Sequence, residues 1–391
     1  MTARPAPLLP GATIGVLGGG QLGRMMALAA RRMGYRICVL DRDRRCPTGQ
    51  IADDVVLGTL DDTEAALRVA ERSQVVTLDT EHTPAEVLER IARVTPVRPG
   101  ASVLATIQDR AVQKRFLDSL GVAQATWAPV GSQDELAAAL ATVGVPAILK
   151  ARRAGYDGKG QARIDAPADP AALRSDAAAA WRRIHEVPAT LEAVVPFARE
   201  VSVVLARSVD GEVEVYPLAE NVHRRHILHT TRAPAPMPAG RAAHAVALAT
   251  RIAAALEHVG AMAVEMFELA DGALLVNEIA PRTHNSGHYT YGACSTSQFE
   301  QHVRAVCGLR LGDPRALTGA VMVNLIGDLW AHGEPAWQHV LDRPEARLHL
   351  YGKLGAAPGR KMGHVLLLDD DTDRALATAE EILAALASTR R

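Results

Sequence analysis

The sequence predicts an α/β protein. Three features carry that reading: apolar runs alternating with amphipathic stretches early in the chain, a glycine turn between the first run and the first helix, and Asp-Gly turns joining later pairs of runs. Residues 13–18 (TIGVLG) read as the first strand, and GGQLGRMMALAARRMG as a glycine turn entering a helix. Strands follow at 36–41, 54–57 and 75–79, with a helix at 62–72, so this unit forms a mostly parallel sheet that TPVRPG at 95–100 closes. A helix at 108–120 opens a second region. It continues with a helix near 132–142, a strand at 145–150, the glycine-rich loop 155–161 and a strand at 162–164. The alanine-rich stretch 168–184 reads as a helix, because alanine is the best helix former. Strands are expected at 190–195, 200–209 and 212–219, the last two as a hairpin across Asp210-Gly211. A proline-rich surface loop at 233–239 and a helix at 240–258 come next. Strands 261–269 and 272–279 flank a second Asp-Gly turn, and helix 296–307 ends the region. Beyond it lie strands near 319–326, 347–350 and 364–368, the loop GKLGAAPGRKMGH and a final helix at 373–387.

Composition narrows the class. With 391 residues, 48% hydrophobic and 22% charged, the chain has ample material for several cores and is not a disordered polymer. A formal charge of -1 favours neither nucleic acid nor a membrane surface. Cys38, Cys46, Cys294 and Cys307 show no zinc-like or C-x-x-C spacing and read as buried thiols of a reducing compartment. Residues 1–10 are too short and proline-rich for a signal peptide, and no apolar run approaches the roughly 20 residues of a membrane span. A soluble cytoplasmic protein is expected. Only five lysines stand against 38 arginines, which makes each lysine worth locating. Lys150, Lys159, Lys353 and Lys361 fall in the motifs below, whereas Lys114 reads as a solvated charge on its helix.

Gly18, Gly20 and Gly23 satisfy G-x-G-x-x-G after a strand, with Asp41 closing the second strand where a ribose-binding acid would sit. The motif alone leaves a nucleotide cofactor, another phosphorylated ligand and a structural turn open. Gln21 is a polar group aimed for a ligand contact. Lys150 ends a strand just before Gly155-Tyr-Asp-Gly-Lys-Gly160, whose amides and ammonium suit a flap over a polyphosphate. Glu265 and Glu278 lie on adjacent strands of an expected hairpin, with Asn277 beside them. Two carboxylates and a carbonyl near phosphates are ligands that magnesium accepts. The backbone from Glu192 to Val195 is a candidate contact for adenine, and Glu200 for ribose hydroxyls. The loop PRTHNSGH (281–288) holds Arg282, His284, Asn285, Ser286 and His288. Pro281 and Gly287 break any helix there, so a substrate loop fits better than zinc. Lys353, Arg360 and Lys361 form a compact basic patch suited to a phosphate or carboxylate.

On GGGQLGRM (18–25), QDRAVQK (108–114), GYDGKGQ (155–161), NEIAPRTHNSGH (277–288) and PGRKMGH (358–364), the chain resembles the N5-carboxyaminoimidazole ribonucleotide synthases, ATP-grasp ligases of purine synthesis. The resemblance implies an ATP-grasp fold with an N-terminal Rossmann-like pre-ATP-grasp domain at 1–105. The ATP-grasp domain would span 106–315, with a lid about 106–190, and a small C-terminal domain 316–391. It implies ATP and magnesium (or manganese), bicarbonate as co-substrate, 5-aminoimidazole ribonucleotide as acceptor and a homodimer. By the same resemblance, Arg110, Lys150 and the flap Gly155, Tyr156, Asp157, Gly158, Lys159, Gly160 and Gln161 hold the ATP phosphates. Glu192, Ala193, Val194 and Val195 form the adenine hinge, Glu200 binds ribose and His223 contacts the nucleotide. Glu265 and Glu278 hold the metal, with Asn277 alongside. Gln21, Tyr156, Asp157, Lys159, Arg282, His284, Asn285, Ser286, Lys353, Arg360 and Lys361 meet the acceptor and bicarbonate. Among them, Asp157, Arg282 and Lys353 are the catalytic set. Two positions depart from the pattern. Lys159 stands where many relatives carry arginine, which loses the planar fork, and Ala193 replaces a longer polar side chain. Glu81 and His82 sit at a sheet end but stay outside this set. Biotin carboxylases, formate-dependent glycinamide ribonucleotide transformylases and nicotinamide oxidoreductases are the alternatives.

Overall fold

In the computed structural model, residues 6–153, 160–165 and 170–388 are described. The roles expected for Gly155, Tyr156, Asp157, Gly158 and Lys159 concern residues outside these ranges.

Strands β1 (Thr13–Leu17), β2 (Arg36–Asp41), β3 (Asp54–Leu57) and β4 (Val75–Leu78) form a parallel sheet in the order β3-β2-β1-β4. Their runs are apolar on successive residues because both faces are covered, as in any sheet wrapped by crossover helices. Met25, Met26 and Ala30 of helix Gln21–Arg32 pack on one face with Ile14, Val16, Ile37 and Val39. Two helices that the sequence reading did not identify, Ala85–Ile91 and Ala101–Ile107, complete this unit. Each is seven residues long, too short for a helical period to stand out.

A second, antiparallel sheet has the order β5-β8-β6-β7, from β5 (Trp127–Val130), β6 (Ala147–Ala151), β7 (Gln161–Ile164) and β8 (Ala189–Ala193). Helices Gln133–Val143 and Pro170–Arg183 cover it, with Leu136, Leu149, Ile164, Trp181 and Leu191 in its core.

The third sheet has nine strands: β9 (Phe197–Arg207), β10 (Val213–Val215), β11 (Ala219–Arg224), β12 (Ile227–Ala233), β13 (Gly260–Leu269), β14 (Leu274–Ala280), β15 (Ala320–Ile326), β16 (Ala346–Leu350) and β17 (Lys361–Leu368). Its order is β14-β13-β9-β11-β12-β15-β17-β16, with β10 paired to β9. The Asp210-Gly211 hairpin is present as β9–β10. The expected single strand 212–219 is instead short β10, and a further hairpin, β11–β12, follows it. The C-terminal strands extend the same sheet, because β12 pairs with β15 from Thr230↔Val323 to Ala233↔Ala320. All four cysteines are free and buried. Among the described residues, no helix is long and apolar enough to cross a membrane.

Candidate active site

Asp109 caps helix Arg110–Ser119, accepting from the amides of Ala111 and Val112. Arg152 grips the same carboxylate through Nε at 2.9 Å and Nη2 at 2.7 Å. The cap aims the first turn of the helix at β8, where Glu192 is only 3% exposed. Three cations converge on that carboxylate: Lys150 at 3.0 Å, Lys114 at 3.3 Å and Arg110 at 3.5 Å. Burial alone would raise the Glu192 pKa, but the charges of Lys150, Arg110 and Lys114 hold it well below the ordinary value. Lys114 is therefore not the solvated surface charge expected from the sequence. It is 1% exposed, because β8, far along the chain, covers the helix face that carries it.

Beyond Glu192, the amides of Ala193 and Val194 donate to the carbonyls of Thr126 (2.9 Å) and Pro146 (3.0 Å). Their N–H groups are thus engaged within the protein, and the Val195 carbonyl accepts from the Phe197 amide at 3.0 Å. On the third sheet Glu200 accepts from His223 Nδ1. Burial lowers the His223 pKa and this contact raises it, with a net upward shift.

Glu265 and Glu278 are direct partners across β13 and β14. A register shift follows immediately, Met266 pairing with Val276, so Asn277 is the extra residue of a bulge. Burial and then the neighbouring Glu278 charge raise the pKa of Glu265. Arg110 reaches Glu278 at 3.3 Å and ties this acidic pair to the cationic cluster. No group of three or more His, Cys, Asp or Glu among the described residues is arranged to hold a metal by itself. Two repelling carboxylates with an amide oxygen beside them do fit a magnesium ion that takes its other ligands from phosphates.

The 281–288 loop joins this centre to the N-terminal sheet. Arg282 grips Glu81 after β4 with both Nε and Nη2, the latter at 2.9 Å. Burial works against ionisation of Glu81, yet Arg282 brings its pKa down to about 2. His284 Nε2 lies 3.5 Å from Glu265, and its Nδ1 meets Ser286 Oγ at 2.9 Å. Asn285 and Asn324 exchange reciprocal amide bonds at 2.7 and 3.2 Å. Lys353 donates to the Lys361 carbonyl at 2.6 Å, and Arg360 to the carbonyls of Leu354 and Gly355. Of the flap, Gly160 accepts from the Ala151 amide, and Gln161 contacts His226 at 3.3 Å.

The first glycine loop closes on the protein's own carboxylates. Gly19 N–H donates to Asp41 (2.9 Å), Gly20 N–H to Asp79 (3.0 Å), and Gly23 N–H also to Asp79. Asp41 is thus an internal acceptor rather than a ribose ligand. A dinucleotide pyrophosphate would have to displace two carboxylates, which removes the physical basis for an oxidoreductase reading. Gln21 begins the helix at the rim of this loop. A cavity of about 660 Å³ opens beside it, bordered by Gly18, Gly20, Asp79, Thr80 and His82 at the C-terminal ends of the parallel strands. Asp79 and the buried Ser202 and Asn221 were not picked out from sequence, since nothing local marks them.

A cationic cluster between two antiparallel sheets, beside a carboxylate pair, points to an ATP-grasp enzyme. Residues 11–108 match the ribonucleotide synthetase preATP-grasp domain, 115–299 the ATP-grasp domain and 320–378 the phosphoribosylaminoimidazole carboxylase C-terminal domain. An N5-carboxyaminoimidazole ribonucleotide synthase of Brucella melitensis is 45% identical, over 92% of this chain and 96% of its own. The chain belongs to the N5-carboxyaminoimidazole ribonucleotide synthase family. The Staphylococcus aureus N5-carboxyaminoimidazole synthetase complexed with ADP superposes with a TM-score of 0.90 at 34% identity, covering 98% of this chain and 99% of that one. The Aspergillus clavatus enzyme, in complex with ADP and 5-aminoimidazole ribonucleotide, does so with a TM-score of 0.87 at 32% identity, covering 96% and 98%.

Proposed function

We propose that this chain carboxylates the exocyclic amine of 5-aminoimidazole ribonucleotide, using ATP and bicarbonate and releasing ADP and phosphate, in purine biosynthesis. The observation that carries the reading is a continuous run of contacts. It leads from Lys150, Glu192 and Arg110 through Glu278 and Glu265 to His284, and the same loop reaches Glu81 through Arg282. A phosphate-binding end is thereby joined to an acceptor end at the N-terminal sheet.

In this reading a bicarbonate oxygen attacks the γ-phosphorus, the bond to ADP breaks, and carboxyphosphate forms. The carboxyl carbon then leaves phosphate and bonds to the amine nitrogen, which loses a proton. Lys150 and Arg110 neutralise charge on the transferred phosphoryl group. Val195 and the neighbouring carbonyls receive adenine, Glu200 the ribose, and His223 holds Glu200 in place. Glu265 and Glu278, with Asn277, would hold magnesium or manganese, which when bound supplies charge neutralisation on the phosphates. Arg282, His284, Asn285, Ser286, Lys353, Arg360 and Lys361, with Gln21, receive bicarbonate and the ribonucleotide. Asp157 orients the amine, and the flap 155–161 excludes water from an intermediate that hydrolyses readily. A homodimer acting in the cytoplasm belongs to the same reading.

Release of ADP, followed with magnesium and bicarbonate present, should rise on addition of 5-aminoimidazole ribonucleotide. Stimulation by glycinamide ribonucleotide in its place would overturn the assignment.

A further inference from the structure

Lys114 has no part in the reaction described above, yet it is the most deeply buried of the three cations on Glu192. Lys150 and Arg110 keep 16% and 19% of their side-chain surface, whereas Lys114 keeps 1%. It is also fixed from behind. Its ammonium meets Gln124 Oε1 at 3.3 Å, and the Gln124 amide donates back to the Lys114 carbonyl (2.9 Å) and to Asp118 (2.6 Å). Lys114 cannot follow a ligand; its neighbours can.

That difference matters when a nucleotide arrives. For Lys150 and Arg110 to grip phosphates, they must loosen their hold on Glu192. A carboxylate as buried as Glu192 is strongly destabilised when left without a cation. We infer that Lys114 is a positioning residue: it retains the charge of Glu192 and so frees Lys150 and Arg110 for the polyphosphate. The inference deepens the proposed ATP site and rests on it. It gives a reason for a third cation on a carboxylate that one would satisfy. Part of the charge excess is met by Glu278, which holds Arg110 from the other side at 3.3 Å.

The test measures ADP binding by calorimetry and the separate KM values for ATP and 5-aminoimidazole ribonucleotide. Lys114→Met should weaken ADP binding and raise the ATP KM about tenfold, because Lys150 then stays tethered to Glu192. The KM for the ribonucleotide should stay within about twofold, since no acceptor contact changes. A second variant separates positioning from loss of fold. In Lys114→Met combined with Glu192→Gln, no buried carboxylate remains to tether Lys150, so much of the lost ADP affinity should return relative to Lys114→Met alone. Unchanged ADP affinity in Lys114→Met overturns the inference, as does an equal loss in the double variant. Absence of ADP binding by the unsubstituted protein overturns the ATP-site reading itself.

Discussion

At His284 one imidazole ring is held from both sides. Thr231 donates to Asn221 (2.9 Å), Asn221 to Ser202 (3.0 Å) and Ser202 to Ser286 (2.8 Å), and Ser286 Oγ then meets Nδ1 of His284 at 2.9 Å. The Ser286 amide also points at Nδ1, so that nitrogen accepts and Nε2 carries the hydrogen that faces Glu265. Burial, and then the charge of Arg282, hold His284 well below its ordinary pKa, so the ring stays neutral. Ser202 is fully buried and lies opposite Glu265 across β9 and β13, so one strand orients both the acid and the ring beside it. Ser202→Ala cuts the chain at its middle and leaves the Asn221 amide without its acceptor. Turnover with the ribonucleotide should fall about tenfold while the ATP KM stays nearly constant, as for loss of an outer orienting partner. Steady-state kinetics with each substrate varied in turn decide it, and an unchanged kcat would refute the orienting role. Arg282, His284 and Glu278 were legible because they crowd one motif. Ser202 and Asn221 were not, since a serine and an asparagine in separate strands acquire meaning only when β9 and β11 pair.

Elements whose hydrophobic period repeats over several turns, such as helices Gln21–Arg32 and Gln298–Val306, were readable, as was the hairpin turning at Asp210-Gly211. The β11–β12 hairpin was not. Its turn is Arg225-His226, both in the left-handed region at φ 52° and 65°, where Asn-Gly would have signalled a hairpin. The end of helix Ala239–Ala255 hides in the same way. The His258 amide returns to Ala253 and the Glu257 amide to Ala254, a Schellman closure whose left-handed position is normally glycine but is here Glu257 at φ 50°. Glu257 is exposed, so a substitution there removes little buried surface. Glu257→Gly should therefore raise stability by about 1 kcal/mol, the relief of backbone strain exceeding the added freedom of the unfolded chain. The midpoint of urea unfolding should move upward, and a downward shift would show that strain at this turn is absent.

Three sheets meet at the site, and what joins them was invisible in the sequence because every tie is long-range. His302 illustrates it. Its Nδ1 accepts from the Ala261 amide of β13 at 3.0 Å, which leaves Nε2 to donate to Thr77 of β4 at 2.8 Å. One neutral ring thus bridges the parallel and nine-stranded sheets, 1% exposed, and burial brings its pKa down to about 3. His258 and His288, both fully buried, are brought down by burial to about 4 and about 3. In the unfolded chain these rings bind protons near pH 6.5, whereas in the native molecule they do not until the pH is far lower. The unfolded state therefore holds more protons throughout the window from about 6.5 down to about 4, and stability must be lost as the pH falls through it. His223, held above its ordinary value, works in the opposite direction only above about pH 6.5, because below that its ring is protonated in both states. His284, His349 and His364, likewise held low by burial, act in the same direction, whereas Glu265, held high by burial, offsets one ring between about pH 4.5 and pH 8. Glu81 joins only below pH 4.5, where protonating it releases Arg282. Urea midpoints should accordingly drop steeply between pH 6 and pH 5, where the buried rings take up protons only on unfolding. A profile that stays level down to pH 5 would mean that these rings are not buried neutral, and that the bridge between the sheets is made some other way.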